Sequence, residues 1–312
     1  MSRVSGGGRS TPKTVLALGA ILAANACEAG PSEAPTSETQ PAETASATSS
    51  TPAPSEVPRV ASLAEAVAGE WRSEADRARD PFRHPEQTLT FFGVEANQTV
   101  MEVWPGAGWY TQILAPYLAS GGGQLIAASF DPSASAVAAQ RHAQFVDDFS
   151  NTALYGDTRH VGLGPDALAP VEPNSVDVVV TFRNVHNWMA GGYADEMMAA
   201  LFTALKPGGV LGVVEHRAAP DADFDLAAAS GYAPQRYVRL IAEEAGFVFE
   251  AASEVNANPA DTADHPFGVW TLPPVLRTAP RDAEPDPAFD TTPYQTIGES
   301  DRMTLKFVKP TG

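Results

Sequence analysis

Thr99-Val100-Met101-Glu102-Val103-Trp104-Pro105-Gly106-Ala107-Gly108-Trp109-Tyr110 runs an apolar strand candidate straight into a glycine turn and then into a helical pattern. A second apolar stretch, Gln124–Ala128, follows that helix and leads through Ser129-Phe130 to Asp131. Glycine suits such a turn because the backbone must bend sharply and let a ligand approach closely. The helix start behind it offers free N–H groups and the positive end of a dipole to an anion. An acid beyond the second strand suits a pair of ribose hydroxyls. Strand, turn, helix, strand and acid together predict a nucleotide-binding, doubly wound α/β domain.

The pattern continues on both sides. Strand candidates are Thr99–Trp104, Gln124–Ala128, His160–Leu163, Val176–Phe182, Val210–His216, Phe247–Val255 and Met303–Val308. Helical spacing separates them at Tyr110–Leu118, Ala134–Phe149, Tyr193–Leu205 and Pro234–Ala245. Near-continuous apolar strands between helices predict a Rossmann-like, mostly parallel seven-stranded sheet with helices on both faces and an antiparallel last strand. Upstream, Leu63–Arg79 reads as one amphipathic helix stopped by Asp80-Pro81, and Pro85–Phe92 as a short second one. Residues 262–301 are Pro-rich and aperiodic, which predicts a long loop packed on the domain as a lid.

The N-terminal part is different in kind. Residues 1–13 carry Arg3, Arg9 and Lys13 without an acid, and Val15–Ala24 is an apolar run too short to span a bilayer. Ala24-Asn25-Ala26 then supplies small residues, so residues 1–26 read as a secretory signal peptide. Cys27, the one cysteine, fits a lipidated lipoprotein residue facing the bacterial periplasm. Plain cleavage after Ala26 to a soluble periplasmic protein is the other reading. Residues 27–59 are mostly Pro, Ser, Thr, Ala and Glu without an aromatic residue, a composition that cannot offset its ordering entropy and predicts a tether. Membrane contact is expected only through the anchor at Cys27. The net charge of −18 argues against a nucleic-acid partner, which needs clustered Lys and Arg.

Three segments, E-V-W-P-G-A-G-W-Y (102–110), D-V-V-V-T-F-R-N-V-H-N-W (177–188) and L-K-P-G-G-V-L-G-V-V-E-H-R (205–217), resemble the class I S-adenosylmethionine-dependent methyltransferases. The similarity runs from about Ala64 to Lys309. It includes D-H-P-F-G-V-W-T-L-P-P (264–274) and E-S-D-R-M-T-L-K-F-V-K-P (299–310), and the chain resembles an often exported bacterial branch. The resemblance implies S-adenosylmethionine as donor, with Glu102 near its amino group, Gly106 and Gly108 along its carboxypropyl arm and Asp131 at its ribose. Trp104 stands where many members carry Gly. The Lys206-Pro207-Gly208-Gly209 marker is expected to end a helix and reverse the chain. The Asn-Pro-Pro-aromatic signature of nucleobase amino methylation is absent, which leaves a small-molecule or lipid-like acceptor.

Ligands of open α/β sheets sit beyond the carboxyl ends of the strands. Two polar clusters fall there, Arg183-Asn184-Val185-His186-Asn187-Trp188 and Glu215-His216-Arg217. His186 is the candidate base, because imidazole titrates near neutral pH, with Glu215 and His216 orienting it or meeting the substrate. Arg183, Asn184, Trp188 and, from the late loop, His265 are candidate substrate contacts. His84 is a candidate to close the donor pocket, and His142 is expected to face solvent. His186, Glu215, His216, Asp264 and His265 match no metal-ligand spacing, so no metal is expected. Without a G-x-S-x-G elbow a hydrolase is disfavoured. Export sets a competing reading, a Rossmann-like envelope module that binds a ligand or metal, since the methyl donor is made in the cytosol.

Overall fold

The computed structural model describes residues 59–222, 225 and 228–312. The signal peptide and all of the tether except Arg59 lie outside the described residues. Seven strands form one sheet: β1 (Thr99–Val103), β2 (Gln124–Phe130), β3 (Arg159–Leu163), β4 (Val176–Phe182), β5 (Leu205–His216), β6 (Val248–Ser253) and β7 (Arg302–Val308). Their order is β3-β2-β1-β4-β5-β7-β6, and β7 runs antiparallel between β5 and β6. The first five strands are parallel neighbours. This is the Rossmann-like, mostly parallel seven-stranded sheet expected from the sequence.

The period of two along each strand divides the core. Val100, Val178, Val180 and Val214 face one side, where they pack with Leu89 and Phe92 of α4 (Pro85–Phe92) and with α5 (Thr111–Gly121). Met101, Val103, Val179, Leu211 and Val213 face the other. There they meet α8 (Val185–Gly191), α9 (Ala194–Ala204) and α10 (Gln235–Glu244). Burial on both faces explains why these strands are apolar without alternation. Between β2 and β3 lie α6 (Ala136–Asp148) and α7 (Thr152–Tyr155), and α11 (Thr292–Ile297) precedes β7.

Three local expectations are corrected. Leu63–Arg79 is two helices, α1 (Leu63–Ala68) and α2 (Glu74–Arg77), and α3 (Asp80–Arg83) follows. The chain breaks because Gly69 ends α1, and Ser73 starts a new helix by accepting the Asp76 amide at 3.0 Å. The Lys206-Pro207-Gly208-Gly209 segment is a bulge within β5 rather than a reversal. Val176 pairs with Leu205 while Val178 pairs with Val210, so the intervening residues loop out, and Gly208 takes φ +79°. Residues 262–301 are not loop throughout: they carry a 3-10 turn, Gly268–Thr271, and α11, with 268, 269, 271 and 272 buried and 280–288 exposed. Among the described residues no helix is long and apolar enough to cross a membrane.

Candidate active site

The strand order reverses between β1 and β4, and a cavity of about 300 Å³ opens beyond their carboxyl ends. Glu102 and the 104–106 turn form its floor, and Arg183, Asn184 and His186 after β4 one flank. His216 ends β5 below it, Trp109, Tyr110 and Phe182 give an aromatic side, and Trp270 with Pro273-Pro274 closes it from the late segment. Asn184 holds the two strand ends together, donating to the Val103 carbonyl at 2.8 Å and the Thr181 hydroxyl at 3.2 Å.

Glu215 is fully buried and organises the base candidates. One carboxylate oxygen accepts from His186 Nδ1 at 2.9 Å and from the His216 amide at 2.7 Å; the other accepts the His186 amide at 3.2 Å. With a carboxylate on Nδ1, the neutral tautomer of this ring carries its proton there and offers Nε2 as the free nitrogen. His216 Nδ1 lies 2.6 Å from the Ser300 hydroxyl, and the two imidazoles are 5.4 Å apart. Burial above all, then His186 and the guanidiniums of Arg183, Arg302 and Arg83, hold His216 well below the ordinary imidazole range, so it is neutral. His186, Glu215 and His216 bring ligand-type atoms within 4.8 Å of one another, yet Glu215 is committed to three hydrogen bonds and the adjacent arginines repel a cation.

Glu102 faces the same cavity, with the Thr111 hydroxyl donating to it at 2.6 Å. Burial pushes its carboxyl up to about 7, against that hydrogen bond. Because the folded protein binds this proton more tightly than the unfolded chain, the group costs nothing below about pH 4.5. It destabilises by about 3 kcal/mol once the pH has risen through 7. Glu102→Gln should therefore gain stability relative to wild type between pH 5 and pH 8, as read by urea unfolding at both values. An equal effect at both pH values would refute the assignment.

The amides of Gly106 and Ala107 have no hydrogen-bond partner among the described residues, and a Cβ on Gly106 (φ +64°) would meet open space. Gly108 differs: at φ +83° its Cβ would lie 2.2 Å from the Phe149 ring, so this glycine serves packing against α6. Gly106→Ala is expected to cost about 1 kcal/mol, the left-handed penalty alone, and Gly108→Ala about 3 kcal/mol, because overpacking adds to it; thermal denaturation compares them. Trp104 has φ +47°, a left-handed conformation that glycine adopts without strain. Its indole turns towards β2 and β3, donating to the Leu163 carbonyl at 2.8 Å and stacking on Phe130.

The remaining candidates divide. Asp131 lines neither this cavity nor the second one of about 400 Å³ between the turn and α6; its carboxylate accepts the Ser133 amide and hydroxyl at 2.9 and 2.7 Å. Ser129 of β2 lines the second cavity together with His142 of α6, the two 2.6 Å apart, so His142 is half-buried and bonded rather than the solvent-facing residue expected. Trp188 is wholly buried in the core and does not line the cavity. His265 is tied to Asp261 at 2.8 Å, outside it. In place of His84 the α3 segment contributes Arg83, which with Arg79 and Arg302 surrounds Glu299. The D-P-F-R and E-S-D-R motifs were the signal for that cluster, but 216 residues separate Arg83 from Glu299 and no local spacing links them.

No family model and no curated protein matches the chain. Among solved structures it is similar to the [4+2]-cyclase SpnF, at 16% identity over 80% of this chain and 92% of that one with a TM-score of 0.51. A SAM-dependent methyltransferase from Aquifex aeolicus matches at 20% identity over 57% and 87%, TM-score 0.46. The geranyl diphosphate C-methyltransferase from Streptomyces coelicolor A3(2) matches at 12% over 78% and 87%, TM-score 0.49. At such identities the likeness is one of fold.

Proposed function

We propose that this chain transfers a methyl group from S-adenosylmethionine to a small-molecule or lipid-like acceptor in the cavity beyond β1, β4 and β5. One observation carries the reading. A buried carboxyl without a cationic partner, Glu102, and the unpartnered amide of Gly106 share a cavity with a histidine backed by a buried carboxylate, and the unpartnered Ala107 amide follows in the same turn. An amino-acid end fits that set: ionised Glu102 would hold the ammonium and the turn amides the carboxylate. The donor, when bound, supplies an electrophilic methyl on a sulfonium. The protein's part is to orient the acceptor, to keep water out with its aromatic side and Pro273-Pro274, and to take a proton at His186 Nε2.

The test is calorimetry of the full chain with S-adenosylmethionine and S-adenosylhomocysteine. Micromolar binding that strengthens from pH 6 to pH 8, as Glu102 ionises, and is lost in Glu102→Ala supports the proposal. No heat with either compound would sink it and leave a ligand-binding module on the same sheet. The place of work we propose is the periplasmic face of a bacterial membrane, through a lipid on Cys27. Fatty-acid radiolabel should enter the wild type and be lost in Cys27→Ser.

A further inference from the structure

Arg79, Arg83, Arg183 and Arg302 gather around a single carboxylate, Glu299. Arg79, Arg83 and Arg302 bond to it directly, at 2.7, 3.1 and 3.2 Å. Arg183 differs: its guanidinium has no hydrogen bond or ion pair among the described residues, though the residue lines the cavity beside His186. Arg83 lines the same cavity, and its Nη2 is buried without a partner. Of the other carboxyls there, Glu215 is committed to His186 and the His216 amide, and Glu102 to Thr111. Arg83 and Arg302 are buried and Arg79 and Arg183 half-buried, and in a chain of net charge −18 such an excess of guanidinium over carboxylate at one point is costly unless a ligand offsets it. The planar fork of Arg matches carboxylate and phosphate oxygens.

We infer that the acceptor carries a carboxylate or phosphate group, bound in this cavity by Arg183 together with Arg83. The word acceptor rests on the methyl-transfer reading; the anion site does not. The donor's own carboxylate is a poor match for this excess, because it arrives with an ammonium and a sulfonium and brings no net negative charge.

The experiment is thermal denaturation of the full chain titrated with inorganic phosphate and, separately, succinate, each with and without saturating S-adenosylhomocysteine. At least one of the anions should raise the melting temperature with a millimolar midpoint. Arg183→Gln should raise that midpoint by about tenfold or more, and Arg183→Lys by less, since the lysine keeps the charge but loses the fork. Arg183 anchors no ion pair, so Arg183→Gln should fold. S-adenosylhomocysteine should leave the midpoint within about twofold, as expected for a separate subsite. Failure of both anions to stabilise, or an unchanged midpoint in Arg183→Gln, overturns the inference. A competitive rise in the midpoint with S-adenosylhomocysteine also overturns it, by assigning the site to the donor's carboxylate. Anion stabilisation lost in Arg183→Gln, with no effect of S-adenosylhomocysteine at all, upholds the anion site while the methyl-transfer reading falls.

Discussion

Glu299→Gln should destabilise the domain by about 3–5 kcal/mol, the scale for breaking a buried ion pair from one side. The substitution hardly changes volume and leaves Arg79, Arg83, Arg183 and Arg302 without a counter-charge. The carboxylate is 5% exposed and fastens α3 and the residue before it to the first residue of β7, so its loss loosens the N-terminal helices from the sheet. The pH dependence has a definite sign. Burial would raise this carboxyl, but Arg83, Arg302, Arg79 and Arg183 outweigh it and hold it below the usual glutamate value. A depressed acid stabilises above its unfolded value and loses that contribution as the pH falls through its folded one. The gap between wild type and Glu299→Gln should thus be full at pH 7 and shrink below about pH 4.5. Urea unfolding at pH 7 and pH 4 measures both, and phosphate should restore part of the loss at pH 7. A gap under about 1 kcal/mol at pH 7, the level of an exposed pair, would mean that Glu299 is not the anchor of the cluster.

The contrast between Glu299 and His186 shows what a sequence displays and what it conceals. A parallel sheet buried on both faces writes itself as apolar runs, so Val176–Phe182 is legible to the residue, and the polar groups ending each run are legible as site candidates. His186 opens the helix that follows β4 and Glu215 lies at the end of β5, the neighbouring strand, so topology alone brings them together. Arg83 and Glu299 meet across the fold through loops and short helices whose paths follow no period, and nothing local marks either as a partner of the other. Asp131 shows the opposite case. Its position in the motif is legible, but its carboxylate goes to the Ser133 turn, a competition between local backbone bonding and ligand binding that spacing does not reveal. Trp188 was conspicuous beside His186, yet helical periodicity in α8 carries it to the core side while His186 lines the cavity.

His186→Ala should lower the turnover number for methyl transfer by about 10²–10⁴-fold, the usual weight of a positioned general base, with donor affinity within about threefold of wild type. The reason is geometric. Glu215 Oε1 accepts from His186 Nδ1 at 2.9 Å, and Oε2 accepts the amide of the same residue, so both the ring and the backbone of His186 are fixed against β5. His186 lines the cavity with Nδ1 held by Glu215, which leaves Nε2 for the acceptor, while the proposed site for the donor's amino-acid end, Glu102 and the turn, belongs to β1 and the residues after it. Glu215→Gln tests the support separately: it keeps the volume but removes the charge that stabilises an imidazolium, and should lower turnover by about tenfold or more with KM nearly unchanged. Stopped-flow or initial-rate measurements on both variants, alongside calorimetric donor binding, distinguish a base from a ligand contact. If His186→Ala weakens donor binding by orders of magnitude while the bound fraction reacts at the wild-type rate, then His186 holds the donor, and the proton must leave by way of water.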